Sequence, residues 1–284
     1  MYQKILRRII AHPNYAVELV RRSRQRQLKI CPHCGVLGHR QLHHTNLRGI
    51  RTYRCSACSK TYSELIGTVF FQSKLPLHIW LQAILYWCMS TGSLSAAALG
   101  RMVGISHLSA WRMLLKIRVV LAAADPPDKL LTGLVEIDEA WFGKRTNQEI
   151  YFGMVERNRR KLVLVPVADC SESSLIPLLK QHVQKGSVVN TDSWSAYNGI
   201  SVHYDHQRVN HSRHEFVRGT TSTNTIERIW GMMKGILRTI HHGVSKRYRQ
   251  LYIQQFIFKF EHEHSHNLFN LTLSKLFSPT YCLI

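Results

Sequence analysis

Hydrophobic residues recur along this chain with two different periods, which divide it into a helical part and a part that alternates strands with helices. Between 74 and 124 the apolar positions follow helical spacing, up to the double proline at 126–127. Beyond that boundary, β-branched runs alternate with polar turns. We predict strands at 134–139, 150–156, 162–167, 187–191 and 206–209, and helices at 174–183, 223–237 and 252–260. This order predicts a mixed α/β domain.

Three carboxylates lie where these elements could bring them together. Asp138 lies in the first predicted strand, on the face opposite its valine and isoleucine, and Asp192 directly follows a later strand. Glu227 lies in a helix that Thr223 is predicted to cap. Oxygen ligands suit Mg²⁺ or Mn²⁺, and two such ions about 4 Å apart stabilise the attacking and leaving oxygens of a phosphodiester. The acids therefore predict a metal site that cuts phosphodiester bonds.

One face of the helix at 223–237 carries further polar residues. Asn224, Glu227, Gly231 and Lys234 share this face, because seven residues make about two helical turns. We expect the lysine to contact a phosphate of DNA rather than the metal.

The residues around these acids resemble a known family. The blocks are Glu-Ile-Asp-Glu at 136–139, Thr-Asp-x-Trp-x-x-Tyr at 191–197, and Thr-Asn-Thr-Ile-Glu-Arg-Ile-Trp-x-x-x-Lys at 223–234. They resemble the catalytic blocks of bacterial insertion-sequence transposases of the DDE type, in particular the zinc-ribbon-bearing group related to eukaryotic Merlin transposases. The 35 residues from Asp192 to Glu227 are also what this resemblance implies.

The resemblance implies an α/β ribonuclease-H-like catalytic core, and a reaction that cuts DNA at transposon ends and then transfers the strands. It implies that Asp138, Asp192 and Glu227 are the catalytic acids, followed by Lys234. In some relatives the third acidic role belongs to the asparagine of the Thr-Asn pair, so Asn224 is an alternative. We favour Glu227, because a carboxylate binds a divalent cation better than a neutral amide does.

The charge of the chain indicates a nucleic-acid partner independently. It has 38 Lys and Arg residues against 17 Asp and Glu residues, a formal net charge of +21. Such a surplus is typical of proteins that bind nucleic acid or an anionic membrane. Residues 1–130 hold 19 basic and 4 acidic residues, so the surplus lies mostly in the first half. We therefore expect double-stranded DNA to bind mainly through the N-terminal part.

A membrane partner is disfavoured by the apolar segments themselves. The longest, 75–89, is interrupted by His78 and Gln82 and is too short for a span of about 20 residues. Arg7 and Arg8 interrupt the apolar segment near the start, so no secretory signal is predicted. We expect a bacterial cytoplasmic protein that is associated with the nucleoid through its DNA.

Four of the seven cysteines form two Cys-x-x-Cys pairs separated by 20 residues. The pairs are Cys31 with Cys34 and Cys55 with Cys58. Two such pairs supply four thiolates at tetrahedral geometry, whereas a redox motif would not require the second pair. We predict a zinc ribbon with short strands between the pairs, in which structural Zn²⁺ contributes folding energy rather than catalysis.

The segment 95–112 has the layout of a helix-turn-helix. Gly104 is predicted to give the tight turn and Ser106 to cap the second helix. The alternative is an ordinary core pair, because glycine turns join many packed helices. The residues predicted to face the major groove are His107, Ser109 and Arg112, with Arg118 further along.

Other basic residues are candidates for contacts to the DNA backbone. Within the basic run 21–26, a DNA-binding arm and a solvated linker or helix face are both open. The residues predicted to contact DNA phosphates are Arg40, Arg48, Arg51, Arg54 and Lys60 in the ribbon, and Lys234 and Arg238 further along.

Together these features predict five segments along the chain. They are a basic N-terminal segment at 1–27, the zinc ribbon at 28–66, the helical helix-turn-helix region at 74–124, the ribonuclease-H-like catalytic domain at 130–262 and a C-terminal tail at 263–284. The Glu/His run at 261–266 departs from the resemblance, because relatives tend to have an Arg/Asn-rich element there. Alternating Glu and His at a terminus are usually solvated.

We predict a DNA transposase that acts as a homo-oligomer, at least a dimer, on the terminal inverted repeats of its element and on target DNA. One alternative is a non-catalytic DNA-binding regulator or decayed transposase with the same binding modules. Another is a structure-selective nuclease of similar fold, which would cut junctions without joining ends.

Overall fold

The computed structural model describes residues 2–25, 27–124, 129–144, 146, 148–192, 197, 199–210 and 217–277. The helices are α1 Tyr2–Ala11, α2 Pro13–Arg24, α3 Leu77–Met89, α4 Ala96–Val103, α5 His107–Ala124, α6 Glu172–His182, α7 Asn224–Gly235, α8 Lys246–Glu261 and α9 Leu268–Leu276. The strands are β1 Arg40–Thr45, β2 Arg51–Cys55, β3 Thr61–Ser63, β4 Leu134–Phe142, β5 Glu149–Glu156, β6 Lys161–Val167, β7 Val188–Thr191, β8 Asp205–Arg208, β9 Val217–Arg218 and β10 Thr221–Ser222.

The chain forms two compact units. The first comprises Met1–Ala124 and Ser265–Ile284, and the second comprises Asp125–His264. The double proline at 126–127 and residues 193–196, which follow Asp192, lie outside the described residues. No helix in the described part of the chain is long and apolar enough to cross a membrane.

The first unit combines a small antiparallel sheet with a cluster of helices. Strands β1, β2 and β3 pair in that order. The first two lie between the cysteine pairs, where short strands were predicted, and β3 follows the second pair. Helix α3 lies at the centre of the helical cluster, where Leu81, Ile84 and Trp87 are fully buried. Helices α1, α2, α4 and α9 pack against it. Its length of 13 residues and its apolar surface on all sides fit a buried helix.

The C-terminal segment differs from the predicted solvated tail. Leu268–Leu276 forms α9, which packs against α3 and α5. Its residues Leu268, Phe269 and Leu273 are buried, and its Thr272 hydroxyl lies 3.8 Å from the Cys88 sulfur. A solvated tail was predicted because the polar Glu/His run before this helix dominates the local composition. The packing partners of α9 lie more than 140 residues earlier in the chain, so the local sequence does not reveal them.

The second unit is built on a five-stranded mixed sheet of order β6-β5-β4-β7-β8. Strands β4, β5 and β6 form an antiparallel meander, and β7 and β8 run parallel to β4. Helix α6 packs on one face of the sheet, and α7 and α8 pack on the other. The predicted mixed α/β layout is therefore confirmed, and the strand order agrees with the ribonuclease-H-like fold that the resemblance implied.

The two faces of β4 enter different cores. Val135 and Ile137 are buried with residues of α6, whereas Ala140 and Phe142 are buried with residues of α7 and α8. This division follows from the two-residue period of a strand. As a result, Glu136 and Asp138 point towards the side of the sheet that α7 covers.

Candidate active site and zinc site

Strands β4 and β7 bring Asp138 and Asp192 to the same row of the sheet. The two strands pair in parallel, and the last paired position joins Glu136 to Asn190. Two residues further along each strand are Asp138 and Asp192, and residues two apart point to the same face. Strand β7 ends at Thr191, so Asp192 follows directly after the ladder. The register therefore places the two carboxylates next to each other where β7 ends.

Burial and neighbouring carboxylates change the acidity of this site. Removal from water raises the pKa of Asp138 to about 7, and the charges of Glu139 and Asp192 act in the same direction. Burial likewise raises the pKa of Glu139 to about 7, with a further increase from the charge of Asp192, although the Tyr197 hydroxyl donates a hydrogen bond to Glu139. A cluster that disfavours its own negative charge fits a divalent cation, which offsets that charge.

Asp138 is held by an indole group from α7. The Nε1–H group of Trp230 donates a hydrogen bond of 3.0 Å to Oδ2 of Asp138. Gly153 lies opposite Asp138 in the β4–β5 pair, and a Cβ atom at Gly153 would overlap with the Trp230 ring. A glycine is therefore needed here for the close approach of the indole to the sheet.

Glu136 fixes the start of α7. It is fully buried, and its Oε2 accepts hydrogen bonds from the backbone N–H groups of Thr225 and Ile226 at 2.7 and 3.0 Å. Its Oε1 accepts a hydrogen bond of 2.7 Å from Nε of Arg157. Thr223 occupies the N-cap position, as predicted, and its carbonyl accepts a hydrogen bond of 3.0 Å from the N–H group of Glu227, but its side chain makes no cap hydrogen bond. A carboxylate from a distant strand satisfies the helix N-terminus instead.

The polar residues predicted on α7 share one exposed face. Asn224, Glu227 and Lys234 are all exposed. The Glu227 carboxylate accepts a hydrogen bond of 2.6 Å from the Thr223 hydroxyl. Glu227 precedes Trp230 by three residues, so the two side chains are neighbours on the helix. The Lys234 ammonium lies 5.8 Å from the centre of the Phe142 ring at the end of β4.

The structure thus brings together Asp138, Asp192 and Glu139, and the last of these was not among the predicted site residues. Among the described residues, Asp138, Asp192 and Glu227 do not form a group whose ligand atoms all lie within 4.8 Å. Asp138 and Asp192 fit a divalent cation, because their carboxylates supply oxygen ligands and repel each other without one. The Glu227 carboxylate accepts its hydrogen bond from the Thr223 hydroxyl. Alternation along β4 places Glu139 on the face opposite Asp138, so this pattern alone does not predict that Glu139 lies near Asp138 and Asp192.

The four predicted zinc ligands do converge. The sulfur atoms of Cys31, Cys34, Cys55 and Cys58 all lie within 4.8 Å of one another. Two of the distances, from Cys31 to Cys58 and from Cys34 to Cys55, are 3.8 Å. A tetrahedron with Zn–S bonds of about 2.3 Å has S–S edges of about 3.8 Å. The cluster therefore fits a tetrahedral Zn²⁺ ion.

The two cysteine pairs adopt the same local backbone. The N–H group of Gly35 donates to the carbonyl of Cys31, and the N–H group of Ser59 donates to the carbonyl of Cys55, both at 2.9 Å. Gly35 and Ser59 have positive φ angles of 73° and 59°. Each pair thus ends in a left-handed residue that turns the chain back, so both cysteines of the pair can point at one centre.

Helices α4 and α5 form the pair predicted from 95–112. Gly104 ends α4 with a φ of 69°, and the Ser106 hydroxyl accepts a hydrogen bond from the backbone N–H of Ser109 at 3.2 Å at the start of α5. Gly100 permits close packing at the turn, since a Cβ atom there would lie 2.9 Å from the Ile105 carbonyl. The predicted turn and cap are therefore present.

The residues predicted to contact DNA differ in their exposure to solvent. His107 and Arg112 on α5 are exposed, as are Arg54 and Arg238, whereas Ser109 and Arg51 are half-buried. Arg118 is buried, so it cannot face a DNA groove from outside, and that prediction is wrong.

The basic run at 21–26 is largely built into the first unit. Arg21 forms an ion pair of 3.0 Å with Glu64, and buried Arg24 donates to the Glu64 carbonyl. These two arginines anchor α2 to the segment that follows β3. Arg26 lies outside the described residues.

Residues 130–261 match the family model of the ISXO2-like transposase domain. A relative described as an uncharacterized protein in transposable element ISH50 of Halobacterium salinarum is 25% identical over 267 residues, which cover 85% of this chain and 88% of that protein. An uncharacterized transposase-like protein of Haemophilus influenzae is 29% identical over 101 residues, which cover 35% of this chain and 80% of that protein.

Among solved structures, the integrase catalytic core domain of HTLV-2 in complex with magnesium is similar with a TM-score of 0.33 and 12% identity. The match covers 46% of this chain and 88% of that chain.

Proposed function

Since the chain belongs to the insertion-sequence transposases of the DDE type, we propose that it binds the terminal inverted repeats of its element and catalyses metal-dependent DNA cleavage and strand transfer. The observation that carries this proposal is the shared row of Asp138 and Asp192 at the end of β7, with Trp230 bonded to Asp138. Two carboxylates in this register form the start of a cation site beside an exposed helix face.

The proposed reaction has two displacements at phosphorus. In the first, a water oxygen bonds to phosphorus as the bond to the 3′ oxygen breaks, which frees a 3′-hydroxyl. In the second, that hydroxyl attacks a phosphorus of target DNA, and the target's own 3′ oxygen leaves. In each step one oxygen bonds to phosphorus as another leaves it, so no covalent intermediate with the protein is required.

Chain residues hold the reacting groups in this scheme. Asp138 and Asp192, with Glu227 as the third acid or Asn224 in its place, would hold Mg²⁺ or Mn²⁺, which supplies charge neutralisation at the phosphate. Trp230 fixes the orientation of Asp138 through its hydrogen bond. Lys234, seven residues after Glu227 on the exposed face of α7, would contact a neighbouring DNA phosphate.

The first unit would hold the DNA ends. The ribbon fits structural zinc, and its exposed Arg54 and half-buried Arg51 are suited to backbone contacts. On α5, His107, Ser109 and Arg112 would face the major groove. Arg238 would add a backbone contact from the second unit. Because an element has two ends that must be cut and joined together, we propose that at least two copies act on one pair of ends.

The experiment that tests this proposal uses labelled duplexes carrying the DNA repeats that flank the reading frame, with Mg²⁺ or Mn²⁺. We expect cutting and joining by the wild type, and loss of both by at least 100-fold in Asp138→Asn and in Asp192→Asn, with DNA binding unchanged within about twofold. Asp205→Asn, an exposed aspartate on β8, is the matched control and should retain activity.

The same assay distinguishes the two candidates for the third ligand. Glu227→Gln should abolish cutting if the carboxylate is the ligand, whereas Asn224→Ala should abolish it if the amide is. Tight binding of the ends without cutting under either metal would overturn the catalytic proposal and favour a DNA-binding regulator. Equal loss of cutting and binding in the aspartate variants would overturn the roles assigned to these acids.

A further inference from the structure

A cavity of about 410 Å³ opens at the end of β4, within the second unit. Its size lies within the range of pockets that take small organic groups, about 300–1,000 Å³. Part of its lining is contributed by Trp141, Gln148, Glu149, Ile150, Val167 and Lys246.

The floor of this cavity is a row of apolar side chains across three strands. Trp141 pairs with Ile150, and Ile150 pairs with Val167, so the three residues lie side by side on one face of the sheet. Trp141 is 46% exposed, although tryptophan is usually well buried. An exposed indole next to a cavity presents an aromatic surface on which a planar group can stack.

The rim of the cavity is positively charged. Glu149 is the acidic residue of the lining, and it forms an ion pair of 2.5 Å with the buried Arg249. Lys246 lies 3.8 Å from the same carboxylate, and its side chain is 61% exposed. Since Arg249 already balances the charge of Glu149, Lys246 leaves a net positive charge at the rim. A planar group that is attached to an anion would match both the floor and the rim.

The cavity lies close to the carboxylates along the same strand. Trp141 follows Glu139 by two residues, so both side chains point to the same face of the sheet, and Glu139 is close enough to Asp138 for its charge to raise the pKa of that acid. Asp138 points to the other face, and three residues of β-strand, about 10 Å, separate it from Trp141 along β4. Three base-pair steps of B-form DNA span a similar length, since one step is about 3.4 Å. On the other face of the sheet, Lys234 lies over Phe142, so the exposed face of α7 reaches the same end of β4.

We propose that this cavity binds one unpaired nucleobase of the DNA strand beside the phosphate that is cut, with the base stacked on Trp141 and its phosphate next to Lys246. The inference rests on the proposed function, because it takes the phosphate at Asp138 as its reference point. Capturing a base there would hold the DNA end open and fix its register relative to the carboxylates.

The test compares equilibrium binding of two fluorescein-labelled probes in buffer without Mg²⁺ or Mn²⁺, so that the proposed cutting cannot proceed and no chelator removes the zinc. One probe is a fully paired duplex with the element's end, and the other has the same sequence with three unpaired nucleotides at that end. We expect the wild type to bind the unpaired probe more tightly by roughly 5- to 100-fold, because stacking of one base contributes about 1–3 kcal/mol and about 1.4 kcal/mol is tenfold.

Three variants test whether the preference for the unpaired probe comes from the cavity. Trp141→Ala should abolish the preference, and Trp141→Phe should keep a large part of it, because phenylalanine retains an aromatic face. Val202→Ala, which truncates an exposed apolar residue elsewhere in the unit, should keep all of it. In cutting assays, Trp141→Ala should be impaired on the paired end and restored by the unpaired end, which a general folding defect would not produce.

The outcomes separate this inference from the proposed function. If the wild type cuts and joins DNA but binds both probes equally, or if Trp141→Ala keeps the full preference, the nucleobase site is wrong and the transposase proposal stands. If the preference depends on Trp141 but no metal supports cutting, the nucleobase site stands and the catalytic proposal is wrong.

Discussion

Trp230 and Asp138 are joined by a hydrogen bond of 3.0 Å, although 92 residues separate them in the chain. The bond links the helix that carries Glu227 to the strand that carries Asp138. It also fixes the position of Oδ2 of Asp138, and with it the orientation of the carboxylate. The position of α7 and the orientation of the first acid are therefore coupled.

Replacing this indole tests the coupling. We expect Trp230→Phe to lower the rate of DNA cleavage by roughly 10- to 100-fold, because a hydrogen bond to a charged group contributes about 1.5–3 kcal/mol. The Mg²⁺ concentration for half-maximal rate should rise as well, since Asp138 is less well oriented. Cleavage rates across a Mg²⁺ titration measure both effects. An unchanged metal titration would show that the bond does not position the acid.

Gly153 and Gly231 provide a pair of glycine-to-alanine substitutions with opposite expected signs. Gly153→Ala should destabilise the protein by about 1–3 kcal/mol, because the new methyl group overlaps with Trp230. Gly231 lies on the exposed face of α7 with open space around it, so Gly231→Ala should stabilise the protein by about 0.5–1 kcal/mol through helix propensity. Urea unfolding of the two variants measures the difference, and equal shifts would contradict the packing role of Gly153.

Removing the Glu136 carboxylate should destabilise the second unit strongly. In Glu136→Ala, the first N–H groups of α7 lose their acceptor and Arg157 loses its buried partner. We expect a loss of about 3–5 kcal/mol in the free energy of unfolding. Glu18→Ala removes an exposed carboxylate that lies 3.7 Å from Arg22, and should change stability by less than about 0.5 kcal/mol. Thermal unfolding of both variants measures the two losses in stability, and losses of similar size would contradict the role of Glu136 at the start of α7.

Zinc removal should affect the first unit selectively. In Cys34→Ser the tetrahedral site loses one thiolate, so we expect the bound zinc to fall from about one ion per chain to near zero and the ribbon strands to unfold. Cys170→Ser, which changes a thiol outside the cluster, should keep its zinc. Elemental analysis and circular dichroism measure these effects. Retained zinc together with retained binding of DNA ends in Cys34→Ser would refute the zinc ribbon.

The sequence predicted those features that depend on local patterns. Alternation of apolar residues located β4 and placed Asp138 on one of its faces, and the spacing of the cysteines predicted a cluster that the structure confirms as four converging sulfur atoms. The glycine at 104 and the serine at 106 predicted the turn between α4 and α5. For the strand and the turn, the residues that decide the geometry are neighbours in the chain. Each cysteine pair likewise has its own local turn, and the repeated Cys-x-x-Cys spacing links the two pairs across 20 residues.

Features that depend on distant residues were missed. Thr223 is the N-cap residue of α7, but the side-chain acceptor at this helix start is Glu136, because the fold brings a strand carboxylate to the helix, which no local pattern encodes. Arg118 occurs in a basic chain but is buried by tertiary packing. Glu139 approaches Asp192 only once the end of β7 is fixed. The role of Glu227 and the relation to Merlin transposases stay predictions.

Helix α9 imposes an order on the biosynthesis of this protein. Its residues complete the helical core around α3, yet the ribosome adds them only after the whole of Asp125–His264 has been made. During translation, the nascent first unit therefore lacks the buried Leu268, Phe269 and Leu273 and exposes the apolar surface that these residues later cover. A prematurely terminated chain would retain the ribbon cysteines and the α4–α5 pair but would lack the last layer of their supporting core. Quality-control proteases would then have a basis for removing truncated products before they could compete with the intact protein for DNA.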